Sequence, residues 1–495
     1  LFVTDATPAK MNKVSRGLMQ LWTGYGYRYL PFADAASADL PLSRLLRLSL
    51  FQISVGMALV LLIGTLNRVM IVELGVPASL VGIMISLPLL FAPFRALIGF
   101  RSDTHRCELG WKRVPFIWKG TMVQFGGLAI MPFALLVLSG GGNASQAPLW
   151  VGWFGAGLAF LLVGAGLHTT QTIGLALATD LAPVESQPKV VGLMYTMLLL
   201  GMIASALAFG AALADFTPFR LVRVIQGSAL ATMLLNLAAL WKQEARRPPR
   251  GMAAASASTF RASWARFCQG DHALRRLLAV GLGTMAFSME DILLEPYGGQ
   301  ILHLSVGTTT KLTATLAIGG LLGFGLASRV LSRGYDPARM ARNGAMVGVP
   351  AFLLVIAAAP ADSAWLFALG TLLIGFGGGL FGHGTLTATM NHAPESQRGL
   401  ALGAWGAVQA SAAGLAVALG GVIRDVVAAA AVSHPILPSI GAAATGYTAV
   451  YAIEVSLLCV TIAAMARLTR GAQRSGVPVA GAAAGAVHEG LATQP

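Results

Sequence analysis

Two histidines set in apolar, small-residue segments are the clearest chemical signal in this chain. His168 lies in Gly164-Ala165-Gly166-Leu167-His168-Thr169-Thr170-Gln171-Thr172, and His383 lies between Gly382 and Gly384. A neutral imidazole nitrogen is a good axial ligand for a five-coordinate metal at the centre of a flat macrocycle. Glycine and alanine neighbours leave room for such a ring. Gln171 follows His168 by three residues, on the same helix face, and could bond a ligand carbonyl or a neighbouring helix. The simpler alternative for each histidine is a buried side chain bonded to a threonine or a backbone carbonyl.

Ionisable residues inside apolar segments form the second signal. Asp or Arg at a helix centre costs roughly 2.5–3.5 kcal/mol on insertion scales, so such residues need a reason to be there. The chain has few: Arg68, Glu290, Asp291, Glu295 and Glu454. Matching Glu73-Leu74-Gly75-Val76 to His303-Leu304-Ser305-Val306 puts Glu295 level with Thr65, one turn from Arg68. An Arg68–Glu295 pair across two halves is one expectation; Arg68 reaching out to the interface is the other. A proton-coupled carrier would be expected to carry more buried carboxylates in its first half. No nucleophile–base arrangement, phosphate loop or hydrolytic metal cluster is present in the sequence, so an enzyme is not expected.

The segments that must position these residues are membrane spans. The chain has 495 residues, 56% hydrophobic and only 11% charged, with a mean hydropathy of +0.71. Soluble domains carry about 25% charged residues. Apolar runs of about 20 residues, enough to cross roughly 30 Å of hydrocarbon, recur along the whole length. The net charge of +14 resides in alternate loops, as the positive-inside rule requires, so membrane lipid and not nucleic acid is the expected environment. Cys107, Cys268 and Cys459 have no metal or redox spacing.

The boundaries read as follows: a cytoplasmic N-terminal segment, 1–46; a six-helix bundle, 47–242; a basic cytoplasmic linker, 243–276; a second six-helix bundle, 277–468; and a Gly/Ala-rich tail, 469–495, expected to be cytoplasmic and disordered. The second half echoes the first. Asp180-Leu181-Ala182-Pro183 returns as Asn391-His392-Ala393-Pro394, and Gly375 and Gly377 fall 211 residues after Gly164 and Gly166. Twelve spans, both termini inside and a parallel repeat predict an all-α membrane protein of the major facilitator fold. Gly99 and Asp103, with Lys112 and Arg113 after them, resemble that superfamily's loop between helices 2 and 3, where such residues clamp helix ends and bias a gate. Here the basic residues come late, and simple inside-positive anchoring is the alternative.

Longer strings resemble one family. They include Leu45-Leu46-Arg47-Leu48-Ser49-Leu50-Phe51-Gln52, Gly64-Thr65-Leu66-Asn67-Arg68-Val69-Met70-Ile71-Val72-Glu73-Leu74-Gly75, Arg101-Ser102-Asp103-Thr104-His105 and Gly166-Leu167-His168-Thr169-Thr170-Gln171-Thr172. The likeness is to the PucC/LhaA family of light-harvesting complex assembly proteins of purple phototrophic bacteria, over about 30 to 470. The resemblance implies a protein of the bacterial cytoplasmic, intracytoplasmic photosynthetic membrane. It would bind bacteriochlorophyll, expected to be the a form, receive it from bacteriochlorophyll synthase, and deliver it to LH1 or LH2 antenna polypeptides or the LH1–reaction centre assembly. His168, Gln171 and His383 are the candidate pigment contacts, with the two histidines as axial ligands to magnesium. A secondary transporter of a small solute or pigment precursor is the alternative.

Overall fold

The computed structural model describes residues 40–90, 102, 111–141, 144, 146–183, 186–244, 273–392, 398–433 and 441–474. Twelve helices account for nearly all of them: α1 (Leu42–Glu73), α2 (Ala78–Leu90), α3 (Val114–Leu138), α4 (Leu149–Leu181), α5 (Gln187–Ala212), α6 (Pro218–Leu240), α7 (Ala273–Gln300), α8 (Val306–Leu331), α9 (Pro337–Ala358), α10 (Ala364–His392), α11 (Arg398–Ser433) and α12 (Gly441–Arg474). Eleven are long and apolar enough to cross a membrane, and α2 is the shorter apolar one. No strand occurs among the described residues. This is an all-α, multi-pass membrane protein with the major facilitator arrangement.

Several helix starts are written locally. Thr217, Ser305 and Asp336 each cap a first turn, accepting from the amides of Arg220 (3.2 Å), Thr308 (3.3 Å) and Ala338 (2.8 Å). Pro115, Pro188, Pro218 and Pro337 sit in first turns, where a missing N–H costs nothing.

The internal echo is structural. Gly166 packs α4 onto α3, with the Gly120 carbonyl and Gln124 amide against it, and Gly377 packs α10 onto α9, where a Cβ would sit 2.8 Å from Gly344 O. Gly164 lets α4 meet Pro88 of α2; Gly375 lets α10 meet the Leu316 carbonyl of α8. Equivalent glycines therefore make equivalent helix contacts in each half, the small-residue packing that membranes favour. The halves meet along α2 with α11 and along α5 with α8. At the second crossing a Cβ on Gly307 would stand 2.6 Å from the Gly210 carbonyl. Among the described residues, α4 and α10 share no extended packing.

Two elements depart from plain helices. In α1 the turns over Val60–Leu66 and Val69–Glu73 widen to π-helix. In α7 the helix stops at Ser288, passes through a single 3₁₀ turn at Glu290–Ile292, and restarts at Leu294. Pro296 explains the restart: it has no N–H to give and falls in the first turn of the second piece. Helix α11 continues eleven residues beyond 422, where the apolar run ends, and α1 begins at Leu42, ahead of the apolar run, with Leu45 and Leu48 buried.

Candidate functional site

His168 sits in α4, one turn beyond Gly164, and is 9% exposed. Its Nδ1 has no hydrogen-bond partner, so the expected bond to a threonine is not made there. The Thr169 hydroxyl instead donates to the Ala165 carbonyl at 2.8 Å. Gln171, on the next turn, is half-buried. His383 on α10 is also half-buried, its Nδ1 unpartnered and its ring edge-on to Phe324 of α8 at 4.3 Å. Phe324 faces Tyr195 of α5 at 6.5 Å, so His383 lies one aromatic ring from the first half. Space is open around Gly382. Gly379, which takes the place of His168 under the 211-residue repeat, lies so near α8 that a Cβ would be 2.5 Å from Gly320 O. The first half thus accommodates an imidazole where the second closes backbone on backbone.

Arg68 and Glu295 lie in the same layer but take different partners. Arg68, 3% exposed, forms its ion pair with Glu73 of its own helix and donates from Nη2 to the Leu304 carbonyl at 3.2 Å. Glu295 accepts from the Thr313 hydroxyl of α8 and lies against Gly64 of α1. A cross-half contact at Arg68 therefore exists, to a backbone carbonyl and not to Glu295.

The break in α7 is held from two sides. Glu454 of α12 accepts the Glu290 amide through Oε1 at 2.7 Å. Asn67 of α1 donates through Nδ2 to the Ile63 and Ile292 carbonyls, each at 2.9 Å. One side chain takes an orphan N–H, and the other serves an orphan C=O. Sequence reading placed Glu290 and Glu454 at depth but gave them no role, and it overlooked Asn67. Pro296 alone was no sufficient signal, because Pro88, Pro132 and Pro350 lie inside helices that stay unbroken.

Residues 65–473 match the family described as PUCC protein. The chain belongs to this family. The PucC protein of Rhodovulum sulfidophilum is 63% identical over 420 residues, covering 84% of this chain and 92% of its own length. That of Cereibacter sphaeroides is 56% identical over 462 residues, 93% of this chain and 99% of its own. A Rhodobacter capsulatus protein named bacteriochlorophyll synthase 44.5 kDa chain is 28% identical over 398 residues, 77% of this chain and 87% of its own. Among solved structures, an inward-facing bacterial homologue of the lysosomal transporter Spinster aligns with a TM-score of 0.61 at 15% identity, covering 86% of this chain and 95% of that one. The oligopeptide-family transporter PepTSo aligns at 0.60 and 12% identity, covering 86% and 98%. At these identities the likeness is one of fold.

In this PucC-family chain Arg113, just before α3, gathers partners from neighbouring helix ends. Its Nε meets Asp180 Oδ2, at the end of α4, at 3.0 Å, and its Nη1 donates to the Ser102 hydroxyl. Lys112 approaches the same carboxylate at 3.8 Å. Glu244, just after α6, accepts the amides of Lys112 (2.8 Å), Arg113 (3.0 Å) and Val114 (3.0 Å), capping α3. Lys112 and Arg113 thus bind the ends of α3, α4 and α6 within the first half. Gly99, Asp103 and most of the linker lie outside the described residues. Asp180, which the sequence marks only as part of the repeated helix exit, is the ion partner of Arg113.

The donors fit a magnesium macrocycle in chemistry: two imidazoles, each beside small residues in a membrane interior, whose Nδ1 atoms are buried and unpartnered, leaving Nε2 as the nitrogen that could reach a metal. They differ in access. His383 keeps an exposed portion and opens toward the seam between halves, whereas His168 is enclosed by its neighbours.

Proposed function

We propose that this chain is an assembly factor for light-harvesting antenna, LH1 or LH2, which binds bacteriochlorophyll and hands it to antenna polypeptides within the membrane. Membership of the PucC family supports the assembly role. The half-buried imidazole of His383, one aromatic ring from the first half and next in sequence to the open position at Gly382, is the observation that carries pigment binding. Bacteriochlorophyll, when bound, supplies a magnesium that accepts one axial nitrogen. His383 is the ligand that this reading favours, with Phe324 holding its imidazole in one orientation. His168 is the second candidate, and the Gln171 amide is free to meet a ring carbonyl. Bacteriochlorophyll synthase is the partner expected to supply pigment; the kinship with a protein named as a chain of that enzyme is consistent with a shared workplace.

The test is the absorption spectrum of the protein purified in mild detergent from phototrophic membranes. A near-infrared band that falls by more than half in His383→Leu, and less in His168→Leu, is expected. Colourless preparations that retain their fold would overturn the reading.

A second reading, secondary transport of a small solute or pigment precursor, draws on the break in α7. Discontinuous helices with buried carboxylates serve coupling ions in many carriers. Substrate-dependent uptake into proteoliposomes, with no pigment bound, would select it.

A further inference from the structure

The carboxylates at the break in α7 have no ion-pair partner among the described residues. Glu290 is 2% exposed and Glu454 is fully buried, and neither they nor Asp291 or Glu295 form an ion pair among the described residues. Glu454 Oε1 is committed to the Glu290 amide at 2.7 Å, which brings two acidic residues of different helices together. The second oxygens, Glu290 Oε2 and Glu454 Oε2, are buried and unpartnered.

Two non-acidic groups point to the same place. The Tyr451 hydroxyl, fully buried and one turn before Glu454 on the same face of α12, has no hydrogen-bond partner. Asn67 is fully buried, and its Oδ1 is free while its amide serves the Ile292 carbonyl at 2.9 Å. Buried polar atoms are nearly always satisfied, so a cluster of free ones at a helix break marks something still to be bound. A divalent ion is not it, because no three acidic, histidine or cysteine side chains converge as ligands among the described residues. Two neighbouring carboxyls in a low-dielectric interior cannot both be charged, and they share a proton as a pair.

We propose that Glu290 and Glu454 together bind one proton, and that its loss loosens the joint between α7 and α12. The proton resides on one of the two unpartnered second oxygens, Glu290 Oε2 or Glu454 Oε2, leaving Glu454 Oε1 on the Glu290 amide. When it leaves to water as hydronium, two like charges face each other across that joint, and the amide cap is the contact that yields. None of the other charged groups on adjoining helices pairs with Glu290 or Glu454 among the described residues. Arg68 of α1 is held by Glu73, Arg424 of α11 is held by Asp425 at 2.8 Å, Lys311 of α8 lies along Gly210, and His383 of α10 lies against Phe324. Asp291, half-buried beside Glu290, is the nearest further acid and adds to the repulsion. Such a joint makes the second half responsive to protons whether or not the chain carries pigment.

Infrared difference spectroscopy of the full chain in lipid nanodiscs, titrated with acid and base, tests this. Wild type should show a protonated-carboxyl band whose titration midpoint shifts in Glu290→Gln and also in Glu454→Gln. Both variants keep the shape, and in Glu454→Gln the new side-chain amide oxygen can still cap α7. Amide hydrogen exchange across residues 286–294, corrected for intrinsic rate, should accelerate severalfold on the alkaline side in wild type and be independent of pH in both variants. A midpoint unmoved by either substitution, or exchange that tracks pH equally in all three proteins, overturns the proposal. These readouts need no pigment, so they stand or fall separately from the absorption test.

Discussion

Asp425 on α11 accepts the amide of Ser79, in the first turn of α2, at 2.7 Å. A carboxylate of the second half thereby caps a helix of the first. Arg424 pairs with Asp425 at 2.8 Å and lies over the Tyr447 ring at 4.7 Å, while the Tyr447 hydroxyl donates to Gln300 at 2.7 Å. With Arg68 on the Leu304 carbonyl, these contacts tie α1, α2, α7, α11 and α12 together at the end of the bundle away from the basic loops.

Removing that cap should weaken the closure of the halves. Replacing a capping residue by alanine costs about 0.5–2 kcal/mol. Asp425→Ala is expected to lower the thermal unfolding midpoint in detergent. Asp425→Asn, whose amide oxygen can still accept from Ser79, should stay near wild type. Equal losses in the two variants would mean that the Arg424 ion pair, and not the cap, matters at this position.

At the opposite end, Arg113 and Lys112 share Asp180 but should not share its importance. Arg113 is buried, and its guanidinium loses its carboxylate partner once Asp180 is gone. Leaving a buried polar group short of partners costs about 1–3 kcal/mol. Lys112 is 41% exposed and stands 3.8 Å away, a surface pair worth about 0–1 kcal/mol. Asp180→Ala should therefore lower stability clearly, and Lys112→Ala barely, in denaturant or thermal melts of the purified protein.

Glycines divide by what surrounds them. A Cβ on Gly319 of α8 would overlap the Leu372 carbonyl of α10, and backbone cannot step aside. Gly319→Ala should cost about 1–3 kcal/mol by overpacking. Gly227 of α6 faces open space, so Gly227→Ala should gain up to about 1 kcal/mol of helix propensity. Opposite shifts in melting midpoint are the expected result.

The fold was legible because apolar runs, basic loops and the glycine echo all describe the same object, a doubled six-helix bundle. Charged residues inside spans were harder to place. Arg424 and Asp425 mark an apparent end to α11, yet the helix runs on to Ser433 because each finds its partner on a neighbouring helix. Glu295 and Arg68 fall level, as the alignment of segments predicts, but Thr313 and Glu73 are nearer competitors. The histidines could be located from sequence, whereas their access could not. Exposure depends on how closely α8 approaches α10 and α2 approaches α4, and that is set by Gly320, Gly379 and Pro88 acting at a distance in sequence.

Asn67 supplies the sharpest test of how the broken helix is held. Its Nδ2 reaches two carbonyls at 2.9 Å, Ile63 within α1 and Ile292 at the break. It stands directly after the π-turn of α1, which sets the phase of the residues that follow. Asn67→Leu keeps the volume and removes the donor, so the Ile292 carbonyl loses its partner in a dry interior. The expected cost is about 1–3 kcal/mol, concentrated at the joint between α1 and α7. Amide exchange should speed up around residues 289–294 while α3 and α6 keep their protection, since the buried Asn236–Thr121 bond at 2.9 Å that joins those helices is remote from the change. A uniform loss of protection across both halves would instead mean that Asn67 supports the whole bundle and not the break alone.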